Sequence, residues 1–210
     1  MLQFAPIFQD HAVLQRGTEL HLWGTGKPNA HVSIHLGASD VQVCADSHGR
    51  WEAVLSPMDT ARGLELRAQS GEEQCCCQDV CIGEVWLAGG QSNMEFLMKY
   101  DDQRQQAYAL PANPDLRYYC CPKISYPQEG EDKDLSRQGF WRTADAENLP
   151  WFSAVGYYFQ KELSKKLDGV PVGVIDCTWG GTSASCWMTE DYLTGSTGTY
   201  LELRQKTLEL

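Results

Sequence analysis

Between residues 11 and 80 apolar and polar positions alternate with a period of two. In His31–Leu36, Val32, Ile34 and Leu36 are interleaved with His31, Ser33 and His35. The same rhythm runs through residues 19–22, 41–43, 51–55 and 64–68. A two-residue period buries one face of an extended chain and wets the other, so each run predicts a half-buried strand. Turn-forming residues separate the runs: Gly24 to Asn29, Asp46 to Gly49, Arg62-Gly63 and Ser70-Gly71. About seven short strands at this spacing predict an antiparallel β-sandwich over residues 1–80.

Beyond Val80 the pattern changes. Residues 82–88 form a mostly apolar run that ends in Gly89-Gly90, and residues 116–120 are a second strand candidate. The spacing predicts a helix over residues 152–167, with Phe152, Val155, Phe159, Leu163 and Leu167 on one stripe and charges opposite. Asp168-Gly169 ends it, and residues 170–177 make another strand. Near-continuous apolar strands alternating with helices predict a parallel sheet covered on both faces, here over residues 81–210. The polar stretch from Gln128 to Arg142 reads as a surface loop.

Composition narrows the function classes. The formal net charge is −11, from 17 Lys and Arg against 28 Asp and Glu. A negative field of that size opposes nucleic acid and anionic lipid as partners. No apolar run reaches the roughly 18 residues a membrane-spanning helix needs, and the opening residues show no basic, apolar leader pattern. Nine cysteines include the contiguous Cys75-Cys76-Cys77 and Cys120-Cys121. Sequence neighbours on a strand point to opposite faces and make poor disulfide partners. The reading is a reduced, cytoplasmic chain that uses Cys as a small hydrophobe. Cys75, Cys77 and Cys81 have a ligand-like spacing, but no second cluster or nearby histidine completes a metal set, so no metal is expected.

In open α/β sheets, sites lie beyond the C-terminal ends of the parallel strands. Two such ends carry candidate chemistry, Gly89-Gly90-Gln91-Ser92-Asn93-Met94-Glu95 and Trp179-Gly180-Gly181-Thr182-Ser183. A helix starting at Asn93 would hold Ser92 over unpaired N–H groups, an environment that favours a serine nucleophile and its oxyanion. Ser92-x-x-Glu95 is equally a capping box, in which the serine only closes a helix end. Gly180-Gly181-Thr182 is either a turn or part of an oxyanion hole, and it lacks the lysine of a phosphate-binding loop.

Residues 83–95, Gly-Glu-Val-Trp-Leu-Ala-Gly-Gly-Gln-Ser-Asn-Met-Glu, closely resemble the nucleophile block of the sialate O-acetylesterase family, a group of SGNH-type hydrolases. Residues 171–182 resemble its second block, residues 152–159 the helix before that block, and residues 7–16 the family's opening. The resemblance implies a β-sandwich followed by an incomplete flavodoxin-like three-layer α/β domain. It implies Ser92 as nucleophile, the N–H groups of Ser92 and Gly181 as oxyanion donors, Gly180 or Thr182 shaping that loop, and Gln91 and Asn93 lining the pocket. The implied reaction removes O-acetyl groups from sugars through an acetyl-serine intermediate, with no cofactor required.

The family's activating Asp-x-x-His pair has no counterpart before Leu210, and all five histidines, His11, His21, His31, His35 and His48, fall in the strand-rich half. The expectation is the N-terminal part of a longer enzyme or a truncated product, with an exposed sheet edge. Two other readings stay open: a non-catalytic carbohydrate-binding or interaction module, and an esterase of acetylated xylan. Oligomeric state is not legible in the sequence.

Overall fold

The computed structural model describes residues 1–124, 133–193, 195 and 198–208. The first part of the expected 128–142 loop therefore lies outside the described residues. Eleven strands are described: β1 (Gln3–Phe4), β2 (Val13–Gln15), β3 (Leu20–Thr25), β4 (His31–Leu36), β5 (Ser39–Cys44), β6 (Arg50–Leu55), β7 (Ala61–Ser70), β8 (Glu73–Gly90), β9 (Asn113–Cys120), β10 (Trp141–Ala144) and β11 (Val172–Thr178). Helices are few: α1 (Ser92–Glu95), α2 (Arg104–Tyr108), α3 (Ala154–Lys166) and α4 (Thr199–Leu208), with short 3-10 turns. The molecule is mostly sheet.

β1, β3 and β6 form a small antiparallel sheet, and the larger sheet runs β10-β9-β11-β8-β7-β4-β5, with β2 beside β8. The alternating runs behave as their pattern requires. β3 buries Leu20 and Leu22 and exposes His21, and β4 buries Val32, Ile34 and Leu36. These residues meet Trp51, Leu55, Leu66, Ala68, Val80 and Ile82 in one apolar core between the sheets. A second core joins Leu116, Tyr118, Phe152, Tyr157, Val172 and Val174 under α3.

β8 connects the two regions without a break. Its first part pairs antiparallel with β7, and residues 84–90 pair parallel with β11. Residue 80 therefore lies inside a strand. Just before it the register with β7 slips, and Asp79 takes a positive φ of 54°. The β-bulge this makes bends and twists the strand. Arg117, only 2% exposed, donates to the Asp79 carbonyl and to its carboxylate (3.0 Å), while His11 Nδ1 lies 2.8 Å from the same carboxylate.

Three sequence expectations change. β9, β11 and β8 are mutually parallel and lie in the chain order second, third, first. A flavodoxin-like order would put the first strand between the second and third; here α3 returns the chain so that β11 fills the gap between β9 and β8. Trp141 and Arg142 are not loop residues: both are buried in β10, paired antiparallel with β9. Finally, α3 does not bury the Val155–Phe159 stripe. It buries Ala154, Gly156, Tyr157, Gln160 and Ser164 and leaves Val155 and Phe159 exposed. Its orientation is fixed by polar ties at both ends, the Ser153 cap on Gly156 N–H (3.0 Å) and Ser164 Oγ donating to the Val170 carbonyl (2.9 Å).

Candidate active site

The register of the parallel strands assembles the site. Gly90 of β8 faces Thr178 of β11, and Trp179 N–H donates to the Gly90 carbonyl at 2.9 Å. Ser92 and Gly180 are each two residues beyond that matched pair, so their loops leave the sheet side by side. A side chain at Gly180 would come within 2.8 Å of Glu95 Oε2 and 3.7 Å of the Ser92 Cα. A side chain there would press on the Glu95 carboxylate.

Gln91, Ser92 and Asn93 are all exposed. α1 is a single turn that starts on Ser92, with Gln91 as its N-cap residue; the Gln91 carbonyl accepts from Met94 and Glu95 N–H at 3.1 and 2.9 Å. No side-chain cap bond forms. The capping-box geometry is thus absent, and Ser92 Oγ has no hydrogen-bond partner among the described residues. The helix expected from Asn93 is this single turn, beginning on Ser92 itself, and one turn adds little dipole. What fixes α1 is Ser153, whose Oγ donates to the Met94 carbonyl at 2.6 Å while capping α3.

On the opposite loop, Gly180 N–H donates to Glu95 Oε2 at 2.5 Å, and Glu95 Oε1 receives Lys123 Nζ at 2.5 Å. Thr182 Oγ1 donates to the Trp179 carbonyl (2.8 Å) and accepts from Trp187 Nε1 (2.9 Å). The Gly180 N–H is therefore spent on Glu95 of the facing loop, and the Thr182 hydroxyl on its own loop and Trp187. Gly181 differs: it is exposed, has a φ of 81°, and its N–H finds no acceptor among the described residues. An open cavity of about 260 Å³ lies beside this loop, lined by Lys123, Cys177, Thr178, Trp179, Thr182 and Trp187.

Beneath the loops sits a buried polar cluster. Asp176, 3% exposed, accepts from Tyr118 Oη at 2.6 Å and from Thr178 N–H at 3.1 Å. Tyr118 Oη in turn accepts from Ser153 N–H at 2.9 Å. Burial and then the Asp176 charge push the Tyr118 phenol well above its ordinary value, so it stays a neutral donor. Burial likewise raises the Cys120 thiol to about 12 and the Cys121 thiol to about 11. Neither yields an appreciable thiolate near neutral pH to rival a serine.

All five histidines lie away from Ser92. His11, His21 and His35 face Asp79, Glu52 and Asp40, while His31 and His48 are exposed. Cys75 and Cys77 pack at the first core, whereas Cys81 joins a separate cluster with Val13, Tyr119 and Trp141, so the spacing that looked ligand-like does not converge. No group of three potential metal ligands gathers among the described residues. The Glu95 bridge and the Asp176–Tyr118–Ser153 chain were not legible beforehand. Lys123 and Tyr118 are far from both loops in sequence, and only the Glu95 spacing offered a signal, which pointed to a cap instead.

No family model matches the chain. It is 29% identical over 208 residues to the Homo sapiens protein named sialate O-acetylesterase, covering 88% of this chain and 38% of that one. The Mus musculus protein of the same name is 28% identical over 205 residues, with 88% and 37% covered. The chain thus spans well under half the length of the curated relatives it matches. Its fold superposes on the crystal structure of a carbohydrate acetylesterase from Xanthomonas citri with a TM-score of 0.83 and 32% identity, covering 95% of this chain and 45% of that one. The chain is thus similar in sequence to proteins named sialate O-acetylesterase and in fold to a carbohydrate acetylesterase.

Proposed function

We propose that this chain carries the nucleophile half of a carbohydrate O-acetylesterase, with Ser92 attacking the acetyl carbonyl. The observation that carries this reading is an exposed, uncapped Ser92 beside an open Gly181 N–H at matched strand ends. Ser92 Oγ would form the bond to the acetyl carbon, the N–H groups of Ser92 and Gly181 would hold the oxyanion, and the sugar hydroxyl would leave on collapse to acetyl-serine. Gln91 and Asn93 would line the approach. Serine needs a base within hydrogen-bond reach, and none of the described residues supplies one, so the base comes from polypeptide other than these residues. The same reading divides the chain into a β-sandwich over residues 1–80 and an SGNH-type esterase portion over residues 81–210. The nine free cysteines support a reducing, cytoplasmic setting. The net charge of −11 favours a carbohydrate over nucleic acid as partner, and among the described residues no helix is long and apolar enough to cross a membrane.

In a full-length version that also carries the base, Ser92→Ala is expected to abolish p-nitrophenyl acetate hydrolysis, and fluorophosphonate labelling of Ser92, while leaving the thermal midpoint unchanged. Turnover that survives the substitution overturns the reading. A glycan-binding role has its own observation: a cavity of about 560 Å³ in the small sheet, lined by Phe4, Trp23, Thr25, Arg50, Trp51 and Glu52, with Trp23 half exposed. Oligosaccharide binding that Trp23→Ala removes, with no hydrolysis at any concentration, favours that role.

A further inference from the structure

We infer that Glu95 is a positioning residue that locks the Gly180–Gly181 loop against Ser92. This rests on the reading of Ser92 as the nucleophile. The carboxylate spans the gap between the two loops: one oxygen takes Gly180 N–H at 2.5 Å and the other takes Lys123 Nζ at 2.5 Å. Three backbone segments, the turn after β8, the turn after β11 and the chain after β9, are thereby tied to one side chain. Hydrogen bonds to a charged acceptor are about twice as strong as neutral ones, so this tie is the firmest restraint on the loop. It also determines which amide is free. With Gly180 N–H turned into Glu95, the next peptide, at the positive φ of Gly181, is directed elsewhere and its N–H stays without an acceptor among the described residues. Glu95 thus selects Gly181 over Gly180 as the oxyanion donor.

The chemistry of the carboxylate cannot be copied by close relatives. Glutamine offers one acceptor oxygen and one NH2 group, so it satisfies either Gly180 N–H or Lys123 and sets a donor against the other. Aspartate is one methylene short of a bridge whose contacts are already at 2.5 Å. Placement errors of about 1 Å at an oxyanion donor cost on the order of 100-fold in rate.

The test compares the 210-residue chain with Glu95→Gln, Glu95→Ala and Lys123→Met, reading the amide exchange of Gly180 and the rate of Ser92 acylation by p-nitrophenyl acetate. Glu95→Ala is expected to speed Gly180 exchange about tenfold and slow acylation about 10- to 100-fold, with half-saturation by ester shifted less than about twofold. Glu95→Gln, which keeps the side-chain shape, is expected to fall between, and Lys123→Met to act in the same direction and more weakly. Unchanged Gly180 exchange in Glu95→Ala and Glu95→Gln overturns the clamp. Faster exchange with unchanged acylation overturns its functional role. A Ser92→Ala chain acylated as fast as the unsubstituted one defeats the nucleophile reading; where the unsubstituted chain is not acylated for want of a base, the exchange comparison still decides the clamp.

Discussion

Asp176 is 3% exposed and holds the end of β11 through the Tyr118 phenol and Thr178 N–H. Tyr118 is the joint of this arrangement, since the same oxygen that donates to Asp176 accepts the Ser153 N–H, and Ser153 Oγ fixes α1. Removing one hydroxyl strands two buried groups at once. Tyr118→Phe is therefore expected to lower unfolding free energy by about 2–4 kcal/mol, from the cost of a buried unsatisfied partner counted twice, with urea denaturation as the measurement. A loss under about 0.5 kcal/mol would mean that water replaces the phenol oxygen, contrary to the burial described here. At this scale the glycine-punctuated strand ends mark Ser92 and Gly181 as candidates, while Gln91 comes from the family resemblance alone. Asp176, Tyr118 and Glu95 do not stand out, because their partners are fixed by sheet register between strands many residues apart.

Among the elements, the alternating strands β3 to β7 were readable because one face of each meets the core and the other meets water. β8 was harder: its first part alternates and its second is nearly continuously apolar, so one strand of 18 residues reads as two. The burial regime changes within the strand at the Asp79 bulge. α3 misled for a related reason, since capping and end contacts set its rotation and left Val155 and Phe159 of the apolar stripe outside. The bulge carries a testable charge effect. Burial raises the Asp79 carboxyl, but the His11 contact and the Arg117 guanidinium outweigh it and hold the carboxyl below its ordinary range. A depressed folded-state value means the contribution is complete above the unfolded value, about 3.9 for aspartate, and is lost as pH falls through the folded one. Asp79→Asn should cost about 1–2 kcal/mol near neutral pH, because the buried Arg117 keeps only carbonyl acceptors. The difference from the unsubstituted chain should shrink below about pH 4. A difference that grows on acidification would show that another group governs the bend.

For the whole molecule, the decisive feature is the side of β8 that faces away from β11. β7 and β2 pair with β8 no further than Gly83; beyond that the Gln15 side chain accepts from Val85 N–H at 2.8 Å and Arg16 Nε donates to Glu84 Oε1 at 2.8 Å. Among the described residues nothing pairs with this edge from Trp86 to Gly90. The surfaces around it are apolar: Leu87 is 70% exposed, and Trp86 and Phe159, half exposed, meet edge to face at 5.1 Å. Phe159, which sequence periodicity assigned to a core, thus flanks an unpaired strand edge, and the two observations call for the same cover. An exposed, flat, apolar edge is a template for another strand. The 210-residue chain alone is accordingly expected to self-associate at about 100 μM, as seen by light scattering after size exclusion. Leu87→Lys, which places a charge on the edge, should return it to a monomer, while Val54→Lys, on the exposed face of the small sheet, should not. A chain that stays monomeric across that range, or two variants that behave alike, would show that the edge is not the surface that matters.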